Sequence, residues 1–245
     1  MENYLLITGA SSGIGRAIAV TLSKNYPLIL GGRNVERLEE TRSMCSDSDK
    51  HIFWNYDLAD VENIYDNLTA FIKDKNLKVG GFVHSAGINL FTTLTGSNLY
   101  EIRKLMDVNF FAATEILKVL VKKKINGKNL NNVILISSIA AFKFSKGEAF
   151  YAASKVAVNV FARAMADELA PNTRVNTINP GITKTSMMDN LLRDQEKLKK
   201  YQQKYLLGIV EVEDIANMAE FLMSEKACRI TGQHFVVDGG ASVAI

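Results

Sequence analysis

The 245-residue sequence predicts an α/β fold, a doubly wound parallel sheet with helices on both faces. Three observations predict it. Short runs rich in Ile, Leu and Val alternate with longer amphipathic stretches along the whole chain. The short runs are apolar nearly throughout, as strands are when both faces of their sheet are covered. No internal repeat and no Pro/Gly/Ser-rich linker divides the chain, and its prolines are Pro27, Pro171 and Pro180. A single domain over residues 1–245 is therefore expected.

The expected elements follow in order. Strand Tyr4–Thr8 runs into a glycine turn and helix Ser12–Ser23. Strand Leu28–Gly31 leads to helix Val35–Met44, and strand His51–Asn55 to helix Asn63–Lys73. Strand Gly81–His84 precedes a long helix, Leu99–Lys123, and strand Asn132–Ser137 precedes helix Phe150–Leu169. Strand Arg174–Asn179, helix Glu213–Ser224 and strand His234–Val237 complete the chain. Right-handed crossovers between parallel strands leave the Rossmann arrangement as the expected topology. The least regular stretch, Ile182–Gly208, follows a strand's carboxyl end, where open α/β sheets bind ligands. It reads equally as a substrate-covering flap and as a plain pair of surface helices.

Composition removes several classes. With 47% hydrophobic and 22% charged residues, the chain is neither disordered nor of low complexity. Net charge is 29 − 26 = +3, and the densest basic run, Lys122-Lys123-Lys124, lacks aromatic interleaving, so it reads as a solvated helix end and no nucleic-acid partner is expected. No uncharged apolar run has the length of a membrane span, and Met1-Glu2-Asn3 has no basic n-region, so neither a membrane nor a signal peptide is expected. Cys45 and Cys228 stand far apart without a CxxC pattern, so neither a disulfide framework nor a metal site is expected; a reducing, cytoplasmic setting fits.

The first chemical motif is Thr8-Gly9-Ala10-Ser11-Ser12-Gly13-Ile14-Gly15, between a strand and a helix. Glycines there allow a tight turn and close approach of a pyrophosphate, which the helix's free amides and dipole would hold. The strand-turn-helix setting favours a dinucleotide over an ordinary glycine turn. The second strand's end decides which one. An acid there would bind the ribose hydroxyls and repel a 2′-phosphate, but the chain reads Gly31-Gly32-Arg33-Asn34. Arg33 can pair with a 2′-phosphate through its planar fork, which favours NADP(H) over NAD(H). Asp57 and Leu58, after the third strand, are placed to meet the adenine edge, and Asp57 reads equally as a cap for the next helix.

The second motif is Tyr151 and Lys155, one helical turn apart on one face. A phenol with an ordinary pKa of ~10 is a poor acid-base group at neutral pH, and a nearby ammonium would lower that value. A proton donor at oxygen is what hydride transfer to a carbonyl carbon needs. Tyr100 and Lys104 share the spacing, but Gly87 lies thirteen residues before Tyr100, whereas Ser138 lies thirteen before Tyr151. A serine hydroxyl at a strand's carboxyl end can bond a carbonyl oxygen as charge develops on it.

These residues carry a resemblance. The sequence is similar, nearly end to end, to the classical short-chain dehydrogenase/reductases, including 3-oxoacyl-acyl-carrier-protein reductase-like members. Its glycine loop matches that family's TGxxxGxG, and Asn109, Ser138, Tyr151 and Lys155 match its catalytic tetrad. Asn179-Pro180-Gly181 with Thr185 matches its cofactor segment, and Ile230–Gly240 its C-terminal signature. The resemblance implies a seven-stranded Rossmann sheet and NAD(P)-dependent interconversion of carbonyls and alcohols. It implies Tyr151 as general acid in reduction, Lys155 lowering its pKa and holding the nicotinamide ribose, Ser138 orienting the carbonyl, and Asn109 supporting a relay water or a helix kink. It also implies that Ala86 and Gly87 lie against the adenosine, that Pro180, Gly181 and the backbone near Thr183 meet the nicotinamide, and that Thr185 meets the pyrophosphate or carboxamide. The chain departs from the family at His84-Ser85-Ala86-Gly87, where N-N-A-G is usual, and at Leu206-Leu207-Gly208-Ile209. The lone His84 reads as structural.

Pocket walls are expected from Ile88–Thr95, Ile139–Glu148 and Ile182–Leu207. Phe91, Phe142, Phe144, Met187 and Met188 would make an apolar cavity for a small carbonyl or alcohol, carrier- or CoA-linked where it is a thioester, while Lys143 and Lys146 would attract an anionic carrier or phosphopantetheine. A homotetramer or homodimer is implied, with the stripe Phe150, Val158, Phe161, Ala162, Met165 and Leu169 and the end Ala241–Ile245 as contacts, although the stripe also fits an intramolecular core.

Overall fold

Seven parallel strands form one sheet in the computed structural model, which describes residues 3–185, 196, 199 and 202–244. They are β1 (Tyr4–Thr8), β2 (Leu28–Gly32), β3 (Ile52–Asn55), β4 (Val79–His84), β5 (Asn132–Ile136), β6 (Arg174–Pro180) and β7 (His234–Val237). Their order is β3-β2-β1-β4-β5-β6-β7. The direction of winding reverses between β1 and β4, and a crevice opens at the carboxyl ends of strands at such a point. The register sets Thr8 beside Gly31 on one side and His84 on the other, so three strands end level at the crevice.

Two apolar layers hold the sheet. Successive residues of a strand point to opposite faces, and Leu6 and Ile7 go to different cores. Ile7, Leu30 and Ile178 pack with helices α1 (Gly13–Leu22) and, near the C-terminus, Val212–Met223. Leu6, Phe82 and Val133 pack beneath α3 (Ile64–Asp74), α5 (Ala112–Val121) and α7 (Ala149–Glu168). Among the described residues α2 (Val35–Met44), α4 (Leu99–Met106) and α6 (Lys123–Asn126) are further helices, and Val212–Met223 is α8. Each fully buried Leu or Ile contributes about 1.5–3 kcal/mol.

Two expected elements differ. The helix expected over Leu99–Lys123 is interrupted by a π-helical turn, Asp107–Phe111, and ends in the separate short α6. β4 begins at Val79, ahead of the expected Gly81. A Cβ on Gly81 would lie 2.4 Å from Leu5 Cδ2, so the glycine makes room for the Leu5 side chain of the neighbouring strand. Of the expected flap, residues 186–195, 197, 198, 200 and 201, with Met187 and Met188, lie outside the described residues. Its two stems are joined: Thr183 bridges Val210, and the Ile182 N–H donates to Tyr205 Oη at 2.8 Å. Among the described residues no helix is long and apolar enough to cross a membrane.

Candidate active site

The glycine loop is shaped by backbone contact. Gly9 has φ +69°, and a Cβ there would stand 2.7 Å from Ala86 N; one on Gly15 would stand 2.2 Å from Gly9 O. Only glycine fits either place. The loop thereby lies against the Ser85-Ala86 backbone. Ser11 precedes the helix, Ser12 takes the N-cap position without a side-chain capping bond, and α1 begins Gly13-Ile14-Gly15 with no acid in its first turn. Its N-terminal amides and dipole thus favour an anion. Thr185 faces the loop, its methyl 3.1 Å from where a Cβ on Gly13 would lie. Pro180 ends β6, Gly181 follows it, and buried Thr183 donates its hydroxyl to Gly181 O. These residues fit a dinucleotide pyrophosphate.

Two side chains not anticipated from sequence brace the loop. Arg16 Nη2 donates to Ser11 O at 2.7 Å and pairs with Glu40 at 2.9 Å, while its Nε donates to Thr41 Oγ1. Buried Thr41 donates to Ala10 O. The legible signal was Thr41 itself, a polar residue three positions after buried Leu38 on the inner face of α2. Arg33 lies at the end of β2, exposed, with its guanidinium 3.5 Å from Asp57. Asp57 also accepts from Ala59 N in a turn of its own, the N-cap positions of the next helical segments being Asp60 and Asn63, and Leu58 is buried beside it.

Asn109, Ser138, Tyr151 and Lys155 come together from three elements. Ser138 follows β5, and its hydroxyl accepts from Ala140 N to cap a short 3-10 turn. Tyr151 and Lys155 sit in the first two turns of α7. Buried Lys155 donates from Nζ to Ile136 O at 3.0 Å. A Cβ on Gly87 would lie 3.5 Å from Lys155 Nζ and 3.4 Å from Asn109 Oδ1, so both groups face the same small residue. Asn109 sits in the π turn. It accepts from Ile88 N at 2.8 Å and donates to Ile88 O and to Ser154 Oγ, both at 3.0 Å. Ser154 donates to Tyr151 O, linking the turn to α7. Lying three residues from Tyr151, it shares that face of the helix.

The expected depression of the phenol is absent. Burial pushes Tyr151 up to about 12, opposed by a hydrogen bond with Ser138 and reinforced by the Glu148 carboxylate. The Lys155 ammonium is directed to Ile136 O and lies 5.6 Å from the phenol ring centroid, and burial pushes it down to about 8. Tyr151 is therefore protonated at neutral pH, the state required of an acid. His84, fully buried, occupies a strut. A carbonyl can only accept, so Nε2 donates to Val108 O at 3.2 Å, and Nδ1 accepts from the Thr8 hydroxyl at 3.0 Å. The ring joins the start of the glycine loop to the π turn carrying Asn109.

The family described as enoyl-(acyl carrier protein) reductase matches residues 9–242. The chain belongs to the short-chain dehydrogenase/reductases. It is 32% identical to the 3-oxoacyl-[acyl-carrier-protein] reductase FabG of Rickettsia prowazekii (strain Madrid E), over 96% of this chain and 95% of that protein. It is 29% identical to the D-erythrulose reductase of Gallus gallus, over 98% and 95%. Its fold matches 4-hydroxyisoleucine dehydrogenase complexed with NADH, at TM-score 0.91 and 27% identity, covering 99% of this chain and 100% of that one.

The expected substrate walls of this dehydrogenase/reductase are partly described. Phe91, Phe142 and Phe144 are exposed. A Cβ on Gly147 would lie 3.0 Å from the Phe91 ring, and Thr92 N donates to Gly147 O, so the loops after β4 and β5 join. The Lys143 side chain is turned toward the end of the chain: Nζ donates to Ala241 O at 2.7 Å and Ala244 O at 3.2 Å. Lys146 is exposed. The end of the chain, expected against a neighbour, places Ala241 in its own subunit's core, whereas Val243 is exposed.

Proposed function

We propose that this protein is an NADP(H)-dependent carbonyl reductase in which Tyr151 is the general acid. The observation that carries the reading is the convergence of Ser138, Tyr151, Lys155 and Asn109 beside Gly87, across from a glycine loop shaped for a pyrophosphate. Gly9, Ser11, Ser12, Gly13, Ile14, Gly15 and Thr185 would hold the diphosphate, Ala86 and Gly87 the adenosine side, Lys155 the nicotinamide ribose, and Pro180, Gly181 and Thr183 the carboxamide. A bound nicotinamide dinucleotide would supply the hydride to the carbonyl carbon. Ser138 hydrogen-bonds the carbonyl oxygen, and Tyr151 Oη gives its proton to that oxygen as charge develops. The phenolate left behind is stabilised by the Ser138 hydroxyl and the neighbouring ammonium, then takes a proton back from water.

Arg33 supports the preference for a 2′-phosphate. A second reading, an NAD(H)-dependent alcohol or sugar dehydrogenase, draws on the Arg33–Asp57 pair, which occupies the guanidinium. The substrate class is a small carbonyl compound, with a carrier- or CoA-linked 3-oxoacyl thioester first, in keeping with the similarity to 3-oxoacyl reductases. A homodimer or homotetramer in the cytoplasm completes the reading, and both cysteines are free thiols.

The test is NADPH oxidation with acetoacetyl-CoA, with Tyr151→Phe in parallel and dissociation constants measured for NADPH and NADH. Turnover lost in the variant, with NADPH bound at least tenfold more tightly (about 1.4 kcal/mol), supports the reading. Equal binding of the two dinucleotides overturns the NADP(H) assignment, and unchanged turnover in Tyr151→Phe overturns the role of Tyr151.

A further inference from the structure

We infer that Lys143 is a positioning residue for the substrate side of the site, fastening the loop between Ser138 and Tyr151 to the C-terminal turn. The kinetic part of this inference rests on the reductase reading above.

The argument begins with chain order. Segment 139–148 leaves Ser138 and enters α7 just before Tyr151, so its path sets the substrate-facing wall between two reacting groups. Its start is fixed locally, by Ser138 capping Ala140 N and by Lys143 N donating to Ile139 O at 2.8 Å. Its end is fixed by Ser145 N donating to Glu148 Oε2 at 2.6 Å and by Gly147 O accepting from Thr92 N at 2.9 Å. Its middle carries Phe142 and Phe144, both exposed. There the Lys143 ammonium crosses to the far end of the sequence and donates to the carbonyls of Ala241 and Ala244. Bonds from an ammonium to two carbonyls are stronger than neutral ones.

The receiving turn is itself rigid. Asp238, buried after β7, accepts from Gly240 N at 2.9 Å and Ser242 N at 2.6 Å, presenting the carbonyls that follow. The turn also carries the exit stem of the expected flap. Leu207 N donates to Gly239 O at 2.9 Å, and Tyr205 reaches back to Ile182 N beside the β6 end. One lysine thus couples the wall after Ser138, the C-terminal turn and the stem of the segment beyond β6. A shift in the wall displaces substrate relative to Tyr151, while the glycine loop, which follows β1 two strands along the sheet from β5, stays in place.

Lys143→Met and Lys143→Arg test this. The methionine keeps the stem and removes the donors, and the arginine restores donors to both carbonyls. In Lys143→Met, amide hydrogen exchange should quicken in 238–244 and 139–148 while the strands remain protected. KM for acetoacetyl-CoA should rise about tenfold with NADPH affinity unchanged, and arginine should restore most of both. Unchanged exchange in both segments overturns the inference whatever the substrate proves to be. Exchange that quickens throughout the sheet, or NADPH affinity that falls with KM, also overturns it, by showing a general structural role. Quickened exchange confined to the two segments, without turnover of acetoacetyl-CoA by the wild-type protein, sustains the fastening and counts against the thioester substrate alone.

Discussion

His84 can serve both of its partners only as a neutral ring. Burial, with the charge of Lys155 behind it, holds the imidazole down to about 3. In the unfolded chain a histidine takes its proton near pH ~6.5, so between these values the unfolded state binds more protons. The stability is fully present above pH ~6.5 and is lost as pH falls, by up to about 1.4 kcal/mol per unit. Urea midpoints of wild type and His84→Asn across this range should converge on acidification, because the asparagine cannot titrate. Parallel curves would remove His84 from the acid transition. Lys155 behaves in the opposite sense. Its folded value is about 8 against an ordinary 10.5, so burial of its charge costs stability below pH 8 and the cost fades as pH rises toward 10.5. Lys155→Met should therefore raise the urea midpoint at pH 7 while abolishing turnover. In the wild type kcat/KM should fall as pH rises through about 8, where the ammonium is lost. A flat profile to pH 10 would show that its charge is not needed.

Among the elements, the helix carrying Asn109 is only partly read from sequence. The family resemblance allows a kink at Asn109, and the π turn lies there, but residues 99–123 hold no Gly or Pro and their apolar spacing is continuous, so the local pattern alone does not announce it. The π turn is imposed by tertiary contacts, since Asn109 takes Ile88 N and O and Ser154 Oγ, and Val108 O takes the imidazole. Strand ends, in contrast, were legible where composition changes abruptly: Thr8 into the glycine loop, and β5 into Ser137-Ser138, where the expected end, Ser137, lies one residue past the observed Ile136. So were the motif residues, Ser138 by its place just beyond β5 and Tyr151 and Lys155 by their i, i+4 spacing near the start of α7. Arg16 and Ser154 were not, since a brace is defined by what it reaches across the fold, and Thr41 showed only as a polar residue on the inner face of α2. Asn109→Ala leaves the Ile88 backbone groups without their partner and should cost about 1–3 kcal/mol, read as a lower urea midpoint, with kcat reduced alongside. A variant of unchanged midpoint would mean that the π turn holds without the amide.

For the whole molecule, the outstanding surface is the outer face of α7. The stripe expected to join subunits is largely spent inside the chain: Val158 and Ala162 are buried, and Phe161 packs edge-on against Phe110 at 5.6 Å. The helix instead exposes Ala149, Ala153, Val156, Val160 and Ala164, spaced four, three, four and four residues apart along one face. Val160 is 64% exposed and Val156 41%. The alternation that located the helix could not say which of two apolar faces meets the sheet, because both carry Ala and Val. Small residues at this spacing let two helices approach closely, and an exposed apolar stripe on an otherwise charged surface marks an association face. Sedimentation velocity should therefore show a dimer or tetramer at micromolar protein. Val160→Lys sets two charges against each other if the face meets its own copy, and should move the distribution toward monomer without changing the far-ultraviolet circular dichroism. A wild type that sediments as a monomer would remove the association. An oligomer that Val160→Lys leaves intact would place the contact on another face, with the β7 edge, where Val236 is 43% exposed, as the next to be substituted.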